Sequence, residues 1–212
     1  MTGVSSQQWY LVLLGLVVVE RLAELVLSQR HAAWSLRRGG VESGRGHYPA
    51  MVALHGGLLA GCAFEMLVGG RPFLPWLGWP MLALVVAAQV LRWRCIGVLG
   101  LRWNTRVIVV PGLPLVMRGP YRWLRHPNYV AVVVEGLALP LVHTAWLTAV
   151  AFTVLNAVVL TVRIRVENVA LAGASADDAG GAGSSSGAGG AGGAGTSSRP
   201  ARRVGTQLPA QD

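Results

Sequence analysis

The sequence predicts an all-α, polytopic membrane protein with about five transmembrane helices. Of its 212 residues, 53% are hydrophobic and only 13% are charged, whereas an ordinary soluble domain carries roughly a quarter charged residues. The apolar residues also fall into five long runs, and a helix needs roughly 20 residues to cross the hydrocarbon core of a bilayer. The runs span residues 9–27, 48–68, 74–90, 129–142 and 145–162.

The distribution of arginine predicts how these helices are oriented. Arginine clusters follow the first, third and fifth runs, whereas the connections after the second and fourth runs hold only Arg71 and no arginine, respectively. This positive-inside pattern predicts a multi-pass cell-membrane protein with its N-terminus outside and its C-terminus in the cytoplasm. Topology thus explains the net charge of +9, so we expect membrane lipid, and no nucleic acid, as the partner of these arginines.

The composition changes sharply after residue 171. Residues 172–212 are dominated by Gly, Ala and Ser, and such a stretch cannot bury enough apolar surface to offset its ordering entropy. We therefore divide the chain into a membrane domain, 1–171, and a disordered tail, 172–212, and predict no obligate protein partner. The first run lacks a cleavage pattern and carries Glu20, Arg21 and Glu24, so it is expected to be a retained helix.

Cysteine and histidine spacing indicates neither a disulfide framework nor a metal site. The two cysteines are far apart: Cys62 falls inside the second run and Cys95 follows the third. We interpret them as a buried residue and an interfacial one. No spacing typical of zinc ligands occurs, and Gly97 and Gly100 lack the strand and helix that a phosphate loop requires.

Ionisable side chains at membrane depth are the first candidates for function, because each costs roughly 2.5 to 3.5 kcal/mol on insertion scales. Two pairs lie one helical turn apart, and two residues stand alone. These candidates are Glu20 with Glu24, Arg163 with Glu167, Glu135 and His55. The structural alternatives are local ion pairs, Arg21 with Glu24 and Arg163 with Glu167, and a packing role for His55.

The densest polar segment lies between Arg118 and Tyr129, just before the fourth run. Pro127 disfavours helical geometry at the preceding residue and suits the first turn of a helix, so a helix is predicted to begin there. Its free N–H groups, with Arg122 and Arg125 nearby, would attract an anion. The aromatic rings of the segment could receive a flat base, although a membrane-interface belt of aromatic and arginine residues is the structural alternative.

The motif Gly119-Pro-Tyr-x-x-x-Arg-His-Pro-x-Tyr129, followed by a helical hairpin and Arg163-Ile-x-x-Glu167, resembles the isoprenylcysteine carboxyl methyltransferase family of membrane enzymes. The resemblance implies that about residues 92–171 build a cytoplasmic-face site for S-adenosylmethionine. Glu20-Arg-Leu-x-Glu24, His47-Tyr-Pro49 and Trp103-Asn-Thr105 are similar to the bacterial branch that methylates alkylpyrones and alkylresorcinols. The implied function is therefore O-methyl transfer to a lipophilic phenol or pyrone of polyketide type.

The resemblance also implies roles for individual residues. The implied cofactor contacts are Tyr121, His126, Pro127, Tyr129 and Glu167, and the candidate catalytic residues are Glu135, Arg163 and Glu167. Either carboxylate or His126 could act as the base, and Arg163 could hold an oxyanion. The family usually has two adjacent glutamates at the end of its last helix, whereas this chain has Glu167-Asn168; asparagine can still accept a hydrogen bond.

Three other functions remain open at the level of sequence. The same fold could methylate the carboxylate of a prenylated-thiol-like acceptor. The chain could also be a non-catalytic membrane protein, or a reductase with a related helical architecture.

Overall fold

The computed structural model describes residues 5–44, 46, 48–113 and 116–183, with side chains described as far as residue 173. Five helices occur in this part of the chain, one over each predicted apolar run, which confirms the predicted helical fold. They are α1 Ser6–Arg37, α2 Tyr48–Leu67, α3 Pro75–Leu99, α4 Pro127–Leu141 and α5 Trp146–Gly183.

Within the described residues, three segments are long and apolar enough to cross a membrane: Tyr48–Leu67, Pro75–Arg102 and Trp146–Gly173. The other two helices differ for visible reasons. Helix α1 carries Glu20, Arg21 and Glu24 in its central part, and α4 has only 15 residues and packs against both α3 and α5. The chain is thus a helical membrane protein in which two of the five predicted spans do not meet the length and composition criteria by themselves.

The structure also contains a two-stranded antiparallel sheet, which the all-α prediction does not include. Strands β1 Val41–Ser43 and β2 Val107–Val109 pair with Glu42 opposite Ile108. Each strand has only three residues, too few to show an alternating pattern in the sequence. The sheet ties the connection between α1 and α2 to the connection between α3 and α4, so it holds two loops together at one end of the bundle.

The apolar core contains side chains from all five helices. Tyr10, Leu14 and Val17 of α1 pack in one cluster with residues of the other helices, and the Tyr10 hydroxyl donates to the carbonyl of Leu139 at 2.9 Å. Helices α4 and α5 approach closely at Gly136, where a Cβ atom would overlap the Phe152 ring. Small and apolar side chains thus decide which helices can touch.

Both cysteines are free and buried. This confirms the prediction for Cys62. Cys95, at the end of α3, is fully covered by protein as well, and its predicted position at the membrane interface stays a prediction. The reason for its burial is tertiary: the end of α3 is covered by the short 3₁₀ helix Gly119–Arg122, which carries Tyr121.

Helix α5 continues through the predicted boundary at residue 171 and ends at Gly183. The first part of the predicted disordered tail, residues 172–183, is therefore helical. Residues 184–212 lie outside the described residues, so the division into a membrane domain and a tail stays a prediction.

Candidate active site

The backbone conformation of the polar segment before α4 is set by Gly119 at its start and by His126 and Pro127 at its end. Gly119 has φ +58°, and a Cβ atom there would lie 2.7 Å from a methyl group of Val98, so this turn favours glycine on two counts. His126 is non-helical, with φ −133° and ψ 62°, and α4 begins at Pro127. The predicted helix start is confirmed, and it places His126, Pro127 and Tyr129 at one helix end.

Side chains from α4 and α5 meet at this helix end. The Tyr129 hydroxyl accepts a hydrogen bond from Arg163 Nε at 2.9 Å and donates one to the Glu167 carboxylate. The His126 ring stacks on Tyr129 with ring centroids 5.3 Å apart, and its Nδ1 atom lies 3.8 Å from Glu167 Oε1. These four residues, with Tyr121 and Pro127, are called the corner below.

The contacts in the corner show whether Arg163 and Glu167 form a local ion pair in α5. Arg163 and Glu167 are not directly paired among the described contacts, because the Tyr129 hydroxyl stands between them. Arg163 is buried, whereas the Glu167 side chain is 28% exposed. Glu167 is thus held by Tyr129 and still open to a bound molecule.

Tyr121 lies beside this group on the short 3₁₀ helix. Burial, followed by the neighbouring Cys95 thiol, raises the pKa of the Tyr121 phenol well above its usual range. Glu167 and Tyr129 act in the same direction. Tyr121 therefore remains a neutral phenol near neutral pH, with an aromatic face and a hydroxyl but no charge.

Glu135 lies elsewhere, in a buried charge cluster that joins α1, α3 and α4. Arg92 Nη2 donates to Glu135 Oε2 at 2.6 Å, and Arg21 Nη2 lies 3.3 Å from the same oxygen. No described contact joins Glu135 to the corner. The buried charge cluster consists of Glu20, Arg21, Glu24, Arg92 and Glu135.

The expected pairing of Arg21 with Glu24 is present, with Nη1 and Oε2 2.7 Å apart. It is one link of the larger network, since Arg21 also contacts Glu20 and Glu135. Glu135 is 5% exposed and Glu24 is 4% exposed. Such deeply buried carboxylates require countercharges, and the two arginines supply them.

A cavity of about 250 Å³ touches both the corner and the buried charge cluster. Tyr129 and Arg163 line it from the corner, and Glu24 and Arg92 line it from the cluster. Most of its remaining wall is apolar, from helices α1, α2 and α5, and includes Leu22, Leu25, Val52, Leu59, Val159 and Leu160. The cavity thus offers polar groups to a ligand whose other part is apolar.

The sequence analysis missed three residues of this cavity. Arg92 was explained by topology alone, and neither Asn128 nor Asn156 was considered. Asn128 Oδ1 is buried without a hydrogen-bond partner among the described residues, and Asn156 is 5% exposed. A polar residue inside an apolar run, as Asn156 is in 145–162, is the signal that could have identified one of them.

His55 also lines the cavity, although its described contacts are those of a packing residue. Its Nδ1 atom bonds to the Met51 carbonyl at 2.8 Å, and its ring meets Phe152 edge to face, with centroids 5.5 Å apart. These contacts favour the packing interpretation. Among the described residues, no group of three or more His, Cys, Asp or Glu is placed to hold a metal ion.

Comparison with known proteins adds independent support to the motif. The profile of the isoprenylcysteine carboxyl methyltransferase family matches residues 81–173. The chain is also 37% identical over 160 residues to the Bacillus subtilis (strain 168) protein named "Uncharacterized protein YpbQ", covering 75% of this chain and 94% of that one. No solved structure matches the chain. With the corner motif on α4 and α5 inside the matched region, the chain belongs to the isoprenylcysteine carboxyl methyltransferase family of membrane proteins.

Proposed function

We propose that this protein transfers a methyl group from S-adenosylmethionine to a hydroxyl of a lipophilic phenol or pyrone, of the alkylpyrone or alkylresorcinol type. One observation carries the proposal: a single cavity touches the corner, the buried charge cluster and a wall of apolar side chains. A ligand with a polar ring and a hydrocarbon chain matches this combination. The family assignment supports methyl transfer as the reaction.

The chemistry of the corner fits S-adenosylmethionine. The partly exposed Glu167 carboxylate suits a cationic ligand, and the stacked rings of His126 and Tyr129 offer an aromatic face for a base. Asn128 Oδ1 is a buried acceptor without a partner among the described residues, so it can accept a hydrogen bond from a ligand. When bound, the cofactor supplies an electrophilic methyl group on a sulfonium.

We assign positioning roles to the neighbouring side chains. Tyr129 orients both Arg163 and Glu167 through its hydroxyl, and Tyr121 and Pro127 complete the wall of the cofactor site. Arg163, buried on the cavity wall, suits the stabilisation of negative charge on the acceptor oxygen. Glu135 acts through Arg92 and Arg21, which it holds by ion pairs.

The apolar part of the cavity explains why such an enzyme resides in the membrane. A long alkyl chain gains about 0.8 kcal/mol for each CH₂ group removed from water, so the acceptor partitions into lipid before it binds. The positive-inside pattern supports an orientation with the corner facing the cytoplasm, where a soluble cofactor reaches it. A reporter fused after Val110 should then report cytoplasm, and one near Gly70 should report the exterior.

The direct test uses purified protein in detergent. Labelled S-adenosylmethionine should bind at equilibrium, and the label should pass to an alkylresorcinol or alkylpyrone. A panel of acceptors with a carboxylate in place of the hydroxyl serves as the comparison. Absence of cofactor binding would refute methyl transfer, whereas labelling of carboxylate acceptors alone would refute the choice of a hydroxyl.

A second acceptor class is favoured by one observation. Arg163 is a buried cation on the cavity wall, and a guanidinium is well suited to a carboxylate. Carboxyl methyl transfer to a prenylated-thiol-like acceptor therefore stands as the alternative, and the same panel distinguishes the two.

A further inference from the structure

Three atoms of the buried charge cluster have no hydrogen-bond partner among the described residues: Arg21 Nε, Glu24 Oε1 and Arg92 Nε. Two of them, Glu24 Oε1 and Arg92 Nε, form a neighbouring pair of acceptor and donor. The side chains are on different helices, and both residues are 4% exposed. The two atoms are 3.7 Å apart, which is too long for a hydrogen bond between them. A buried acceptor and a buried donor thus lie side by side without hydrogen bonds, on residues that line the cavity.

Among the described residues, Glu24 Oε1 is the one carboxylate oxygen of the cluster that accepts no hydrogen bond. Glu24 Oε2 accepts from Arg21, and Arg92 Nη2 donates to Glu135. Glu20 on the same helix accepts from Trp93 through Oε1 and from Arg21 and Gln89 through Oε2. Only part of the network's hydrogen-bonding capacity is therefore used by the protein itself, and the unpartnered atoms belong to residues that line the cavity.

The chemistry of this pair selects the group that could bind to it. A hydroxyl can donate to Glu24 Oε1 and accept from Arg92 Nε at once, because it carries one donor and two acceptor lone pairs. A carboxylate can only accept, so it would leave Glu24 Oε1 unsatisfied and face its charge. The five charged residues of the cluster are three glutamates and two arginines, and their excess of negative charge opposes an incoming anion.

We propose that Glu24 and Arg92 bind the hydroxyl of the methyl acceptor and that Glu24 takes its proton. This inference rests on the proposed methyl transfer. As the new bond from the acceptor oxygen to the methyl carbon forms and the sulfur–carbon bond breaks, the O–H proton passes to the Glu24 carboxylate. The products are a methyl ether, a neutral thioether and a protonated Glu24, which returns its proton to solvent before the next turnover.

Charged and titratable groups surround Glu24 on every side, so its protonation is set by the whole cluster. They are Glu20 and Arg21 on α1, His55 on α2, Arg92 on α3, Glu135 on α4 and, across the cavity, Arg163 on α5. Arg92 is the closest cation to the free oxygen in the described contacts, and it would also steady the developing negative charge on the acceptor oxygen.

The test compares Glu24→Gln with Glu20→Gln. Both changes remove one negative charge from the same network and the same helix, but Glu20 has both oxygens hydrogen-bonded and does not line the cavity. Glu24→Gln should lower kcat by about a hundredfold to ten-thousandfold, the usual contribution of general base catalysis. Glu20→Gln should lower kcat much less than Glu24→Gln does, because Glu20 does not line the cavity and cannot take the proton of the acceptor. Cofactor affinity should be unchanged in both.

Acceptors of graded acidity separate a proton-transfer role from a structural one. A more acidic phenol ionises without a base, so the loss caused by Glu24→Gln should shrink as the acceptor becomes more acidic, and the acid limb of the pH profile should disappear. A loss of equal size for all phenols, or the same loss in Glu20→Gln, would overturn the assignment.

A measurement on the wild-type protein covers the case in which Glu24→Gln does not fold. An alkylresorcinol should bind roughly five- to a hundredfold more tightly than its dimethyl ether, which cannot donate to Glu24. Equal affinities would overturn the inference while leaving methyl transfer intact. Failure of the wild-type protein to bind S-adenosylmethionine would instead refute the proposed function, and this inference with it.

Discussion

The corner and the buried charge cluster use the same residue types in different environments, one partly exposed and the other buried. Each contains glutamate and arginine, but Glu167 in the corner is 28% exposed at its side chain, whereas Glu135 in the cluster is 6% exposed. The corner holds its carboxylate through the neutral hydroxyl of Tyr129, while the cluster neutralises its carboxylates directly with Arg21 and Arg92.

The difference shows what each region can do. A carboxylate that is partly exposed and accepts one hydrogen bond from a hydroxyl can still bind a ligand that arrives from the aqueous side. A carboxylate enclosed by guanidinium groups is mainly a structural partner, unless an atom such as Glu24 Oε1 remains free. Charge removal in the corner should therefore affect turnover, and charge removal at Glu135 should affect stability.

Among changes in the corner, Glu167→Gln should produce the largest effect on rate. The substitution keeps the shape of the side chain and removes its charge from the corner, so turnover should fall by about a hundredfold or more with little change in melting temperature. Arg165→Gln, at an exposed position on the same helix, is the matched control and should behave like the wild-type protein. Methyl transfer and thermal melting are measured on the same samples, and normal turnover in Glu167→Gln would remove this residue from the site.

Asn168→Glu restores the pair of glutamates usual in the family and sharpens the same experiment. Residue 168 is exposed, so the protein should fold normally. A loss of turnover as large as that of Glu167→Gln would mean that turnover falls when a negative charge is added to this part of α5. The loss in Glu167→Gln could then not be attributed to its missing charge alone.

Glu135→Gln should be the most damaging change to stability. It leaves Arg92 and Arg21 without one of their countercharges inside the bundle, and breaking a buried ion pair costs about 3 to 5 kcal/mol. The measurement is unfolding by denaturant or heat in one detergent, with Glu167→Gln as the partly exposed comparison. Equal stabilities of the two variants would show that burial does not distinguish the regions.

His126→Ala should weaken S-adenosylmethionine binding by about five- to a hundredfold, because it removes a ring stacked on Tyr129 and a polar contact worth roughly 1 to 3 kcal/mol. Arg37→Ala, at an exposed position at the end of α1, should leave binding unchanged. Equilibrium binding measures both. Small and equal effects would indicate that the segment before α4 is an interfacial anchor only.

Ending the chain after Leu171 should have the smallest effect. The residues removed are mostly Gly, Ala and Ser, which offer little apolar surface for packing, although α5 continues as a helix to Gly183. Folding and turnover should stay close to those of the full chain. A loss of more than about tenfold in rate would show that this extension of α5 contributes to the corner.

Local sequence determined the helices and the form of the corner. Each of the five apolar runs became a helix, because burial and backbone hydrogen bonding in an apolar environment act over consecutive residues. Pro127 set the start of α4, since the restriction that proline imposes reaches only its neighbours. The motif from Gly119 to Tyr129 was readable because most of its geometry is decided within a dozen residues.

Tertiary structure alone decided which charges meet. Glu135 pairs with Arg92 and Arg21, from sequence positions 43 and 114 residues away, and no local pattern predicts such a contact. The sheet of β1 and β2 is equally non-local. Arg163 donates to the Tyr129 hydroxyl and not to Glu167, because the packing of α4 on α5 places this hydroxyl between the two side chains. Helix formation depends on neighbours in the chain, whereas pairing of buried charges depends on how separate helices pack.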